Sequence, residues 1–163
     1  MKYLLAIMGV ALTSVLVACS SSDNSSSGSP TTAPSTSPAA SSSASANTVD
    51  VVLREWSITP SVLTAKAGSV TFNVRNNGPK EEHEFVILKT DLAPADLPKR
   101  DNGSVDEEGA GITSPGEIEG ISPGDQKTAT FDLTPGKYIF ICNLIEADEV
   151  HFSEGMFAQF TVQ

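Results

Sequence analysis

Beyond residue 48 the chain is patterned with a period of two. Val49, Val51 and Leu53 fall at alternate positions, as do Val70, Phe72 and Val74, then Phe85 and Ile87, then Ala129, Phe131 and Leu133. Successive strand side chains point to opposite faces, so each set predicts a strand buried on one face. Tyr138 to Cys142 is almost continuously apolar, as a central strand is, and Phe157 to Val162 reads as a further strand closing the chain. Turn signals separate these segments at Lys66-Ala67-Gly68, Asn76-Asn77-Gly78-Pro79, Ser122-Pro123-Gly124-Asp125 and Thr134-Pro135-Gly136. Short strands at this spacing predict an all-β fold, a two-sheet sandwich. Thr90 to Ile121 breaks the rhythm: it is long, acidic and rich in Gly and Pro, with a helical turn expected over Leu92 to Leu97. It is expected to form an excursion packed over one edge or end of the sandwich.

The first part of the chain is built differently. Residues 1–18 carry a lysine and then an apolar run that ends in small residues, the pattern of a signal peptide and too short for a membrane span. Leu16-Val17-Ala18-Cys19 resembles the bacterial lipobox, which implies that Cys19 becomes the lipid-modified first residue of the mature protein. An ordinary signal peptide with a chance cysteine is the plainer alternative. Residues 19–47 are Ser, Thr, Pro, Ala and Gly with almost nothing to bury, the composition of a flexible tether. Residues 48–163 are then one domain, exported and held at the membrane of the cell envelope by its lipid.

The formal net charge of −10 makes nucleic acid an unsuitable partner. Acidic runs at Glu81-Glu82, Asp106-Glu107-Glu108 and Glu146 to Glu149 would steer a basic protein, or simply keep a face solvated.

Cysteine usage says more. With Cys19 lipidated, Cys142 has no partner for an internal disulfide, so burial or a metal must protect its thiol. After removal of residues 1–18 the chain keeps two histidines and one methionine, and with Cys142 they all fit a single metal site: His83, Cys142, His151, Met156. A thiolate and two imidazoles make a trigonal set for one copper ion, and a weak, distant thioether completes a site that suits both Cu(I) and Cu(II). Singly, each residue has a blander explanation: Cys142 as a small buried hydrophobe, Met156 as core filler, His83 as a surface residue among carboxylates.

Three segments carry a family resemblance. Tyr138-Ile139-Phe140-Ile141-Cys142-Asn143-Leu144, His151-Phe152-Ser153-Glu154-Gly155-Met156 and Phe157 to Val162 resemble the C-terminal end of the cupredoxins, and Glu82-His83-Glu84-Phe85-Val86 resembles the strand that supplies their first histidine. The likeness is to plastocyanin-like and azurin-like proteins. It implies a Greek-key β-sandwich with a mononuclear copper site at one end, and one-electron transfer rather than enzymatic turnover. It also implies a redox partner protein in the cell envelope, whose identity is open. On this pattern His83 lies at a strand end, Cys142 at the end of the penultimate strand, and His151 and Met156 in the loop that follows. Two features depart from it. Cupredoxins leave two to four residues between the cysteine and the second histidine, and here eight intervene, from Asn143 to Val150. Glu84 follows His83 where many relatives carry Asn. Three other functions use the same residues differently: a copper storage or delivery protein, a catalytic zinc protein with His and Cys ligands, and a metal-free sandwich that binds another envelope protein. The zinc enzyme lacks a companion acid–base motif, and Met156 is a poor zinc ligand.

Overall fold

A computed structural model describes residues 47–163. The expected signal peptide, Cys19 and the tether as far as residue 46 lie outside the described residues. In chain order the strands are β1 (Thr48–Arg54), β2 (Ser57–Pro60), β3 (Thr64–Ala65), β4 (Gly68–Asn76), β5 (His83–Lys89), β6 (Thr113–Ile121), β7 (Gln126–Leu133), β8 (Gly136–Ile141), β9 (Ile145–Glu146), β10 (Glu149–Val150) and β11 (Phe157–Val162).

β4 shows how alternation becomes a sheet. Val70, Phe72 and Val74 turn inward and are fully buried, while Thr71, Asn73 and Arg75 lie on the more exposed face. β1 runs parallel to β4 and β7 antiparallel to it, giving a sheet in the order β2-β1-β4-β7. The second sheet has the order β3-β11-β8-β5-β6. Inward residues of both sheets make one core. Phe72 sits at its centre, with ring centroids 5.3 Å from Phe85, 5.4 Å from Phe140 and 6.2 Å from Phe160. The all-β sandwich expected from the sequence is present, with mixed parallel and antiparallel pairing.

The excursion does more than cover an edge or end. Its second half is a strand, β6, which pairs antiparallel with β5 along the sheet margin. Its first half, with a 3-10 turn at Pro94–Asp96, brings Leu97 and Val105 onto the outer face of the second sheet. There they pack with Val86 and Leu88 of β5, Ile139 and Ile141 of β8, and Phe152. β5 is therefore buried on both faces from His83 to Leu88, which explains why Val86 and Leu88 are apolar between Phe85 and Ile87. Among the described residues, no helix is long and apolar enough to cross a membrane.

One buried polar side chain fixes the entry to β5. Asn76 Nδ2 donates to Glu81 O and to Ile121 O, both at 2.8 Å, and its Oδ1 accepts from Gly78 N at 2.8 Å. Asn76 thereby ties the ends of β4 and β6 to the turn that delivers His83. Asn76→Ala leaves these groups without partners, at about 1–3 kcal/mol for a buried unpaired group. We expect denaturant unfolding to show a loss of about 2–4 kcal/mol. A loss under about 0.5 kcal/mol, the range of an ordinary surface change, would show that this turn does not depend on Asn76.

Candidate metal centre

β8 pairs with β11 through Ile141 opposite Phe157, and the ladder continues one rung further, with Cys142 N donating to Met156 O at 3.1 Å. On its other side β8 pairs with β5 through Ile141 opposite Val86. Past that point side chains replace backbone acceptors: Glu84 N donates to Cys142 Sγ at 3.5 Å, and Asn143 N donates to Glu84 Oε1 at 2.8 Å. Cys142 thus lies where the two strand pairings separate, one residue beyond β8. His83 is the first residue of β5, at a register shift against β6.

These elements bring three donor atoms together. His151 Nδ1 is 3.2 Å from Cys142 Sγ and 3.3 Å from His83 Nδ1, and His83 Nδ1 is 3.9 Å from Sγ. A trigonal ion with metal–nitrogen bonds of about 2.0–2.1 Å and a metal–sulfur bond of about 2.3 Å spans donor separations of roughly 3.5–3.8 Å. The triangle matches that size. His83, Cys142, His151 and Met156 are all fully buried. Met156 lies opposite Cys142 on the neighbouring strand, and its amide donates to His151 O at 3.1 Å. The set of one thiol, two imidazoles and one thioether fits a single copper ion of the type 1 class.

The electrostatics suit a site made for an ion. Burial pushes the Cys142 thiol up to about 12, with amide contacts from Glu84 and Leu144 opposing. Burial also holds both imidazoles below their ordinary range, and for His83 the neighbouring His151 adds to the effect. A neutral thiol beside two neutral imidazoles satisfies few of its own polar atoms: Nε2 of His83 and of His151 are buried with no hydrogen-bond partner among the described residues. Glu84, also buried, is pushed up to about 7, chiefly by desolvation.

The long segment between Cys142 and His151 resolves into a hairpin. β9 and β10 pair Glu146 with Glu149 and Ile145 with Val150, and His151 N donates to Leu144 O at 3.0 Å. Ala147 and Asp148 form the turn with φ of 47° and 75°, the conformation a two-residue hairpin turn requires. The chain returns to where it left, so Asn143 and Leu144 alone separate Cys142 from His151 at the base of the hairpin. That is the spacing of two to four expected of cupredoxins, with six residues inserted outward. Asn143 braces the base: its Oδ1 accepts from Val105 N at 2.7 Å and its Nδ2 donates to Val105 O at 2.9 Å.

Sequence reasoning did not find Trp56, whose ring lies 5.0 Å from that of His151 in an edge contact, nor Glu81; Glu146, which with Asp148 and Glu149 the long loop offers as a group for the site, does approach the same histidine together with Glu81. The acidic run before His83 was a signal for Glu81; nothing in the pattern marked Trp56. Cys19, the expected lipidation site, lies outside the described residues.

Fold and donor set together define a mononuclear copper protein of the cupredoxin class. The cupredoxin-like domain family matches residues 10–151, and the chain belongs to that family. Among solved structures it is similar to dithionite-reduced auracyanin from Roseiflexus castenholzii, with 22% identity over 72% of this chain and 98% of that one, at a TM-score of 0.55. It is similar too to the azurin Az-iso2 of Methylomonas sp. strain J, with 17% identity over 74% of this chain and 99% of that one, at a TM-score of 0.51. No curated protein sequence matches it.

The shifted groups make stability depend on pH. Folded His83 and His151 resist protonation while the unfolded chain takes up protons below about pH 6.5, so their contribution is present above that pH and lost as the pH falls. Glu84 acts in the opposite sense. It holds its proton in the fold up to about 7 but loses it near 4.5 when unfolded, so it adds stability as the pH falls through that window. The metal-free Glu84→Gln protein should therefore lose stability more steeply between about pH 7 and 5 than the parent. Denaturant midpoints across that range measure it, and parallel curves would mean that Glu84 ionises normally.

Proposed function

We propose that this protein is a one-electron carrier of the bacterial cell envelope, exported, anchored through lipid on Cys19, and served by one copper ion held by His83, Cys142, His151 and Met156. The observation that carries the reading is the buried triangle of Sγ and two Nδ1 atoms with edges of 3.2, 3.3 and 3.9 Å. Bound copper supplies a one-electron couple. The chain supplies a fixed set of donors: the β8–β11 rung holds Cys142 against Met156, Asn76 and Glu84 hold the start of β5, and the hairpin base holds His151. Such a set changes little between oxidation states and excludes water.

Burial of every ligand favours electron transfer over copper delivery, which needs a ligand that an acceptor can reach. It also disfavours a zinc enzyme, whose metal keeps one position open to water. The redox partner is taken to be another protein of the envelope. A basic surface would complement the exposed acidic residues near the copper end, Glu82, Glu146, Asp148 and Glu149.

Adding Cu(II) to the purified protein should load one ion per chain and produce an intense visible thiolate-to-copper band. Cys142→Ser should remove the band and strong binding while the chain still folds; an unchanged spectrum would sink the assignment. Met156→Leu should keep the copper and raise the reduction potential, since a weak axial sulfur tunes the couple more than it holds the ion. Its packing cost should stay below about 1.5 kcal/mol. Film voltammetry compares the two proteins, and an unmoved potential would remove Met156 from the ligand set.

The anchor has its own test. Cys19→Ser should release the protein from membranes or block its maturation and leave copper binding unchanged. Membrane retention of a mature, unlipidated Cys19→Ser protein would overturn the anchoring.

A further inference from the structure

His151 has two ring nitrogens, and the inner triangle uses only one. Nδ1 faces Cys142 Sγ and His83 Nδ1. Nε2, on the other side of the ring, is buried and has no hydrogen-bond partner among the described residues. Beside the ring stand two carboxylates from separate elements. Glu81 comes from the turn before β5 and is 5% exposed; Glu146 ends β9 on the inserted hairpin. One His151 nitrogen and one oxygen from each carboxylate lie within 4.8 Å of one another. With Nδ1 committed to the inner triangle, Nε2 is the nitrogen these oxygens have available.

Two carboxylates so close repel one another unless a proton or a cation lies between them. Lys80 pairs with Glu81 from the solvent side, its own side chain 82% exposed. A buried imidazole nitrogen without a partner is the further feature that turns an acidic pair into a coordination set. One nitrogen and two carboxylate oxygens, with a water in the fourth position, is a donor set suited to zinc and similar divalent ions.

We propose that Glu81, Glu146 and His151 Nε2 form a second metal site, for a divalent ion of the zinc class, joined to the inner triangle through the His151 ring. When the inner site is loaded through Nδ1, the second ion replaces the Nε2 proton, which passes to solvent, and the imidazolate links two cations. The hairpin explains why such a site exists in this chain: the inserted residues that cover His151 also carry Glu146 to it. The link through the ring rests on the copper reading given above; the outer site needs only Nε2 and the two carboxylates.

The full chain is loaded with one equivalent of copper, freed of excess, titrated with Zn(II) and analysed for both metals after gel filtration. We expect one additional zinc per chain with the copper retained. Co(II) used in place of zinc should perturb the Cu(II) electron paramagnetic resonance signal through the shared ring. Glu146→Gln, at the exposed end of β9, and Glu81→Gln should each weaken zinc binding by roughly tenfold or more and leave the copper band in place. Copper-free Cys142→Ser should still bind the zinc, and should lose it when Glu146→Gln is added, so failure of the copper reading and failure of the outer site are told apart. Three results would overturn the proposal: no zinc uptake by either protein, uptake indifferent to both Glu variants, or zinc that displaces copper one for one. A carboxylate that merely accepts a hydrogen bond from Nε2 gives the first of these.

Discussion

The hydrogen bond from Cys142 N to Met156 O is one rung of a ladder, and the metal centre is arranged around it. Up to Ile141, β8 is paired on both sides, with Val86 and with Phe157. One residue later the pairing to β11 persists while the amide of Glu84 turns to the thiol and that of Asn143 to the Glu84 carboxyl. The strands part there without leaving these two amides unpaired, because side chains take over the acceptor role. A gap between strands, lined by sulfur and nitrogen and roofed by the His151 loop, is what that parting produces. Glu84 performs this bridging because the atom that Asn143 N needs is a side-chain oxygen.

The hairpin of β9 and β10 follows from the same geometry. Hydrogen bonds of the His151-to-Met156 turn, Glu154 N to Val150 O and Met156 N to His151 O, fix where His151 must return. An insertion between Cys142 and His151 is harmless if its ends meet, and an antiparallel pair does that with four of the six inserted residues paired and only Ala147 and Asp148 left to the turn. The cost falls on the turn, where Ala147 takes a left-handed conformation that Ala disfavours. In return Glu146 comes beside His151, whose ring packs edge-on against Trp56 and is buried.

The alternation of Val70, Phe72 and Val74 made β4 legible because one of its faces is exposed. β6 was not legible: Thr113 to Ile121 carries Pro115, Gly116 and Gly120, and only Ile118 and Ile121 of the strand are buried, so no period of two stands out. It is a strand because β5 offers it an unpaired edge, a tertiary cause that composition does not reveal. The candidate ligands stood out for a different reason. Thiol, imidazole and thioether are scarce in this chain, and their order with the flanking strand patterns leaves few arrangements. Of their neighbours, Glu146 was legible only as one of three acidic residues in the long loop, and Glu81 and Trp56 were not, because they reach His151 through turns whose directions depend on backbone angles at single residues.

The metal-free centre is an unfavourable arrangement that the rest of the fold holds together. A thiol pushed up to about 12 and two imidazole nitrogens without partners sit in space removed from water. An unpaired buried polar atom costs about 1–3 kcal/mol, and the bonds made by Asn76, Glu84 and Asn143 offset that cost from outside the site. Binding an ion to the fold and not to the unfolded chain shifts the equilibrium toward the fold by mass action. The more completely these outer bonds fix the donors in advance, the less ordering the ion must drive, and the more its binding energy appears as affinity. Fixing the donors also limits their rearrangement when the charge on the ion changes by one. The same rigidity thus serves retention of the metal and, on the function proposed above, passage of an electron, and it originates in backbone and amide bonds rather than in the ligands.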